Sequence, residues 1–171
     1  MFKRIKEVFL ILFCVLALAS PGFAVEATDT VTIAFFSAFS LTKEQDISVN
    51  ITPQEGKSSY TDSDFFSSSP GKLLANGDAG ASVAITCPDS VTLTHTNGSD
   101  TAILNLACRA DTSSYVADKS SGTACDDANL QTDSTTGKLY ISIFPDSVDV
   151  TSATAYGIYS GTITVTIDYV Q

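Results

Sequence analysis

The chain has 171 residues, with 9 Lys and Arg against 19 Asp and Glu and a formal net charge of -10. Phosphate recognition needs clustered cations, so this balance excludes a nucleic-acid interface and disfavours adsorption to anionic membranes. The absence of Trp, with abundant Ser and Thr, points to β-structure carrying short polar side chains on its exposed faces.

At the N-terminus, Lys3, Arg4 and Lys6 precede the apolar run Val8–Ala19, and small residues close it at Gly22 and Ala24. This pattern predicts a secretory signal peptide over residues 1–24, with cleavage after Ala24 or, as the close alternative, Ala27. The apolar run is short for a bilayer span, so no stable membrane insertion is expected after cleavage. Phe13 before Cys14 is too bulky for a lipoprotein signal, and Cys14 leaves with the leader. Residues 25–171 are therefore expected to be one domain, exported to the periplasm, cell surface or extracellular space.

Period-two alternation then recurs along the chain, and no helical stripe does. It runs through Val31, Ile33 and Phe35; Ile47, Val49 and Ile51; Val83 and Ile85; Val91 and Leu93; Leu104 and Leu106; and Leu139, Ile141 and Ile143. Ile163, Val165, Ile167 and Tyr169 complete the series as a C-terminal core strand, with Thr162, Thr164, Thr166 and Asp168 on its solvent face. Turn signals at Ser69-Pro70-Gly71, Asn76-Gly77, Asn97-Gly98, Ser121-Gly122 and Gly137 separate the runs. Many short strands with one polar face each imply an all-β, two-sheet sandwich. Residues 109–137 differ, being polar and without sustained alternation, and are expected to form a long loop. A short strand or helical turn at Tyr115–Ala117 or Ala128–Leu130 is its expected interruption.

The exported chain keeps Cys87, Cys108 and Cys125, an odd count that implies one disulfide and one further thiol. If Asn97-Gly98 centres a two-residue hairpin loop, Leu93 faces Ala102, Val91 faces Leu104, and Cys87 faces Cys108 at a non-hydrogen-bonded pair. Cross-strand Cβ atoms there approach the separation a disulfide accepts, so Cys87–Cys108 is the expected bridge. The alternative is Cys108–Cys125, which would tether the long loop, and a bulge at Pro88 would break the register argument.

Chemistry is sparse. His95, the only histidine, sits beside the Asn97-Gly98 turn without partners for base or metal duty. Ser40-x-x-Lys43 and Ser69-x-x-Lys72 lack the companion motifs of a penicilloyl-type nucleophile. Asp62, Asp64, Asp126 and Asp127 lack a calcium-loop pattern and read as solvated acids. The cysteines lack zinc spacing. Asn50 and Asn97 open formal glycosylation sequons. No catalytic residue, cofactor or metal is expected.

Three stretches carry a resemblance. "VTIAFFSAFSLTKEQDISVNI", "GKLLANGDAGASVAITCPDSVTLT" and "GIYSGTITVTIDY" together resemble the DUF4402 family of exported bacterial proteins. Leu41, Thr42, Lys43, Gln45 and Asp46 match its first motif. Gly77, Ala79, Val83, Ile85 and Pro88 match the second, and Gly157, Tyr159, Ser160, Gly161 and Tyr169 the third. Ile47-Ser48-Val49 stands where the family has Phe-Gly, and the penultimate strand lacks the family's Gly-Gly. The resemblance implies an immunoglobulin-like, pilin-like sandwich with no catalytic residues to transfer.

The resulting expectation is a non-catalytic structural or surface protein of fimbrial type, partnered by other copies of itself or by related subunits through strand pairing. Val31, Ile33 and Phe35 are the candidate intermolecular strand, since a donated strand fills pockets with alternate side chains. The bland alternative, favoured by the short chain ahead of Val31, makes them the first strand of their own sandwich. The alternative function is a ligand- or glycan-binding module that uses the 109–137 loop.

Overall fold

In the computed structural model, residues 38–52, 54–150 and 156–170 are described. The expected leader (1–24) and the candidate strand at Val31, Ile33 and Phe35 lie outside them. The described residues form an all-β structure without an α-helix, an arrangement consistent with a β-sandwich. No helix among them is long and apolar enough to cross a membrane.

The main sheet is antiparallel. Its strand order is β1 (Ser40–Gln45), β5 (Gly71–Asn76), β10 (Lys138–Val150), β8 (Thr101–Asp111), β7 (Ser90–His95) and β11 (Tyr159–Ser160). Short β3 (Ser59–Thr61) adds to β10, and β9 (Thr123–Ala124) adds to β8. Two smaller pairs complete the strands of the described residues: β6 (Val83–Thr86) with β12 (Thr166–Tyr169), and β2 (Ser48–Ile51) with β4 (Phe65–Ser69). A 3-10 turn at Asp62–Asp64 links β3 to β4.

The expected alternation locates most of these strands. In β6, Val83 and Ile85 are buried while Ala84 and Thr86 are exposed. In β8, Ala102, Leu104 and Leu106 point inward. The β7–β8 hairpin has the expected register, with Leu93 opposite Ala102 and Val91 opposite Leu104. These side chains join Ala75, Ile141 and Ile143 in one contiguous core. Such burial is the main favourable term in folding.

β5 and β10 depart from a half-solvated strand because both of their faces are covered. Ala75 and Ile141 are fully buried on one side, and Ser142 is fully buried on the other. The cover over that second face comes from the long loop. Val116 N–H donates to Ser142 Oγ (3.1 Å), and the Tyr115 ring meets Tyr140 edge-on at 5.1 Å. Pro145 sits inside β10, where it cannot donate to a ladder. The strand accommodates it at a register shift between Pro145 and Ser147.

The loop itself is folded down onto the sheet. It is interrupted by β9 and by a turn at Ala128–Asn129, where Leu130 N–H donates to the Asp127 carbonyl (3.4 Å), while no strand or helical turn forms at Tyr115–Ala117. Buried Val116 and Leu130 act there as single anchors. Lys119 pairs with Asp62 (2.6 Å) and with Asp146, and Arg109 Nε donates to the Lys119 carbonyl (2.6 Å).

Aspartates close the loop's turns. Asp111 accepts from Ser113, Asp118 from Ser120 and Ser121, and Asp133 from Thr135 and Thr136. Hydroxyl donors, led by Ser113, Ser120 and Thr136 respectively, and then backbone N–H groups hold these three carboxyls below the usual carboxylate range. A depressed carboxyl stabilises the folded state above its unfolded pKa, and that contribution is lost as pH falls through the folded value. Acidification below about pH 4 is therefore expected to loosen residues 111–137 before the core. Amide exchange followed by mass spectrometry would report this as early loss of protection in that segment. Simultaneous loss across β8 and β10 would contradict it.

Candidate functional site

The end of the core nearest Asn76 is closed by a tight cluster. The Phe39 ring stacks on Tyr169 with centroids 4.2 Å apart, and Asp78 N–H donates to the Tyr169 hydroxyl (2.8 Å). Gly77 permits this approach, because a Cβ there would lie 2.2 Å from the Phe39 ring. Gly77 N–H also donates to the Gly137 carbonyl (2.9 Å), tying the end of β5 to the start of β10.

Away from that closed end the apolar interior is open. A groove of about 1000 Å³ runs between the main sheet and the smaller elements. Its floor is apolar, built from Leu73 of β5, Ile143 and Val148 of β10, Leu104 of β8, and Val91 and Leu93 of β7. One bank is the segment Asp46–Ile51, which contains β2. The other is the segment Tyr156–Ile163 together with Val165.

Every residue of Asp46–Ile51 and of Tyr156–Ile163 lines the groove, irrespective of parity. A strand that turned one face toward a cavity would contribute alternate residues only. Among the described residues, β2 pairs only with β4, β12 pairs only with β6, and residues 161–165 belong to no ladder. The groove therefore combines an apolar floor with two bank segments, β2 and residues 161–165, whose main chain enters no further ladder among the described residues. These are the two features that an added β-strand exploits.

Of the expected C-terminal core strand, Ile167 and Tyr169 lie in β12, opposite Ile85 and Val83. Ile163 and Val165 keep the same inward parity and half-burial, yet they form a bank of the groove outside any ladder. Gly161 brings this bank onto β7, since a Cβ there would lie 2.8 Å from the Thr92 carbonyl oxygen.

His95 has a structural task at the bank's beginning. Its Nδ1 accepts from Asn97 N–H (3.0 Å), which leaves Nε2 to donate to the Tyr156 carbonyl (3.2 Å). The ring also meets Tyr159 at 4.9 Å. Tyr156 and Ile158 beside it remain 77% and 72% exposed, which is unusual for large apolar side chains flanking a core.

The disulfide requires a correction. The bonded pair is Cys108–Cys125, with Cα atoms 5.4 Å apart, and Cys87 is free. The hairpin register is as expected, but its ladder stops at Ser90 opposite Asn105. Beyond it, Pro88 interrupts the strand and the chain crosses to the β6–β12 pair, so Cys87 follows β6 instead of extending β7. The bridge thus fastens β9 and the long loop to β8. Burial, with a smaller effect from the Asp89 charge, raises the Cys87 thiol to about 11, which disfavours the reactive thiolate at neutral pH.

Asp62, Asp64 and Asp127 are engaged in local contacts. Asp64 pairs with Lys57 and accepts from Thr61 N–H, Asp62 pairs with Lys119, and Asp127 accepts from Asn129 N–H. Lys43 pairs with Asp46 (2.7 Å), and Lys72 lies over the Tyr115 ring at 5.4 Å. Among the described residues, no cluster of three or more His, Cys, Asp or Glu side chains forms.

Comparison of the chain with protein-family models and with curated proteins gives no match.

Proposed function

We propose that the chain is a non-catalytic exported structural subunit, an immunoglobulin-like sandwich of pilin type, which assembles with other copies through strand pairing. The observation that carries this reading is the groove. An apolar floor flanked by β2 and by residues 161–165, which join no further ladder among the described residues, suits an extended segment with alternating apolar side chains better than it suits a small polar ligand. The leader-like N-terminus supports export, and the alternation at Val31, Ile33 and Phe35 supplies a segment of matching character within the same sequence.

The rival reading, a ligand-binding module built on the 109–137 loop, has less support. That loop is bridged to β8, ion-paired through Lys119, and spends Val116 and Leu130 on the interior.

The test is to recover the exported protein and search for SDS-resistant or microscopically visible polymers. Polymers are expected from the full sequence and not from a variant lacking Val31–Ser37. A monodisperse monomer at every concentration, with unchanged stability after the deletion, would overturn the proposal.

A further inference from the structure

We infer that Cys87 is a second partner for Cys108, so that exchange of Cys108–Cys125 for Cys87–Cys108 releases Cys125, and with it β9 and the long loop, from β8. This stands apart from the assembly reading and does not depend on it.

One edge of β8 carries the observation. β7 lies along it as far as Ser90 opposite Asn105, and one further bond of the same register follows, from Leu106 N–H to the Asp89 carbonyl (2.8 Å). Two residues on, that register assigns the place beside Cys108 to Cys87. In the structure Cys125 holds it. Cys125 N–H donates to the Cys108 carbonyl (3.3 Å), Ala124 follows opposite Arg109, and the two sulfurs are joined. Cys87 and Cys125 are thus alternative occupants of one position, with one carbonyl and one sulfur to share between them.

Pairing type and reach both allow the exchange. His95 N–H donates to the Asp100 carbonyl and Leu106 N–H to Asp89, so the hydrogen-bonded pairs of this hairpin fall at odd-numbered residues on the β7 side. Cys87 opposite Cys108 would then be a hydrogen-bonded pair, not the non-hydrogen-bonded one expected from a two-residue loop. Its Cα separation of about 5.5 Å lies within the disulfide range. Pro88 would fall at the intervening pair, where its missing N–H faces away from β8 and the ladder loses no bond. Two residues of extended chain span about 7 Å, which is also the rise of two residues along β8. Straightening the chain ahead of Asp89 therefore brings Cys87 level with Cys108. All three cysteines already pack in or against the same core cluster.

The step consumes no oxidant. The Cys87 thiolate attacks Cys108 Sγ, and the Cys87–Cys108 bond forms as Cys108–Cys125 breaks. The electron pair leaves on the Cys125 sulfur, which takes up the proton that Cys87 gave to water. Because only the thiolate attacks, the burial that raises the Cys87 thiol to about 11 keeps the exchange slow at neutral pH. Cys108–Cys125 is then the resting bridge, and alkaline solution drives the exchange.

Alkylation during the exchange tests this. The full chain carrying Cys14→Ser, so that three cysteines remain, is held folded with iodoacetamide at neutral pH and at about pH 10. It is then acidified and digested with pepsin without reduction. At neutral pH the expected bridge is Cys108–Cys125 alone. At alkaline pH a Cys87–Cys108 peptide and alkylated Cys125 are expected together, within single chains, at a rate rising about tenfold per pH unit below the thiol's own titration. Alkylation confined to Cys87 at both pH values would overturn the inference. A Cys87–Cys125 peptide in comparable yield, the mixture an unfolded chain gives, would overturn it too, as would a Cys87–Cys108 link found only between two chains.

Discussion

Truncation of Ile143 to alanine is expected to lower the unfolding free energy by about 2–5 kcal/mol, the range for large-to-small substitutions in rigid cores. Ile143 is only 1% exposed, stands in the most buried strand between Gly71 and Cys108, and belongs to both the core and the groove floor. Its removal leaves a cavity that antiparallel neighbours on both sides cannot collapse into, because their ladders fix the backbone spacing. Urea titration should show a lower midpoint at an unchanged slope. The contrast is Phe66→Ala, at a site 82% exposed on β4, where a change within about 0.5 kcal/mol is expected. Equal effects at the two positions would contradict the placement of the core.

Replacement of Cys125 by alanine should have the next largest effect. The Cys108–Cys125 bridge closes a sequence separation of 17 residues. A loop of that size contributes about 3 kcal/mol through restriction of the unfolded chain. Because the bridge anchors β9 and the loop that covers Ser142 and Tyr140, its loss should also expose the outer face of β10. Cys87→Ala should leave the bridge in place and cost less, since Cys87 is only half-buried against the core and its thiol makes a weak hydrogen bond, 3.8 Å to the adjacent Pro88 carbonyl. Peptide mapping without reduction checks the pairing. A fragment joining Cys87 to Cys108 would contradict it.

Strands with one wet face were legible in the sequence, and β10 was legible through Leu139, Ile141 and Ile143, whereas β5, the other strand with two dry faces, was not. Val83 and Ile85, or Val91 and Leu93, announce themselves because each neighbour is polar. The β7–β8 register is as counted from Asn97-Gly98, although the loop is longer than a two-residue turn: Gly98 N–H donates to the His95 carbonyl and His95 N–H to the Asp100 carbonyl, which keeps the same pairing. β5 was hidden for the opposite reason. Lys72-Leu73-Leu74-Ala75 has no alternation, since Ala75 faces the core while the Lys72 side chain lies beneath the Tyr115 ring. A loop covering the outer face is a long-range event that a local period cannot encode.

The disulfide departs from expectation through one residue: the hairpin register holds as far as Ser90, and Pro88 then turns the chain so that Cys87 follows β6 in another sheet. The groove was legible only in part. Its banks can be named from Ile47, Val49, Ile163 and Val165, but a gap between them is a property of three-dimensional closure. His95 gave no sequence signal for its task, because its partner carbonyl at Tyr156 is remote in the chain.

The most direct test of the proposed acceptor groove is amide hydrogen exchange at Gly161–Val165 in the wild-type protein. These residues belong to no ladder among the described residues, so by themselves their amides should exchange like those of an exposed loop. If a strand pairs with this bank, whether from the same chain or another, alternate amides there should be protected to the level of β12, and Val31–Ser37 should be protected with them. Fast exchange throughout Gly161–Val165, beside a protected β6–β12 pair, would contradict the account.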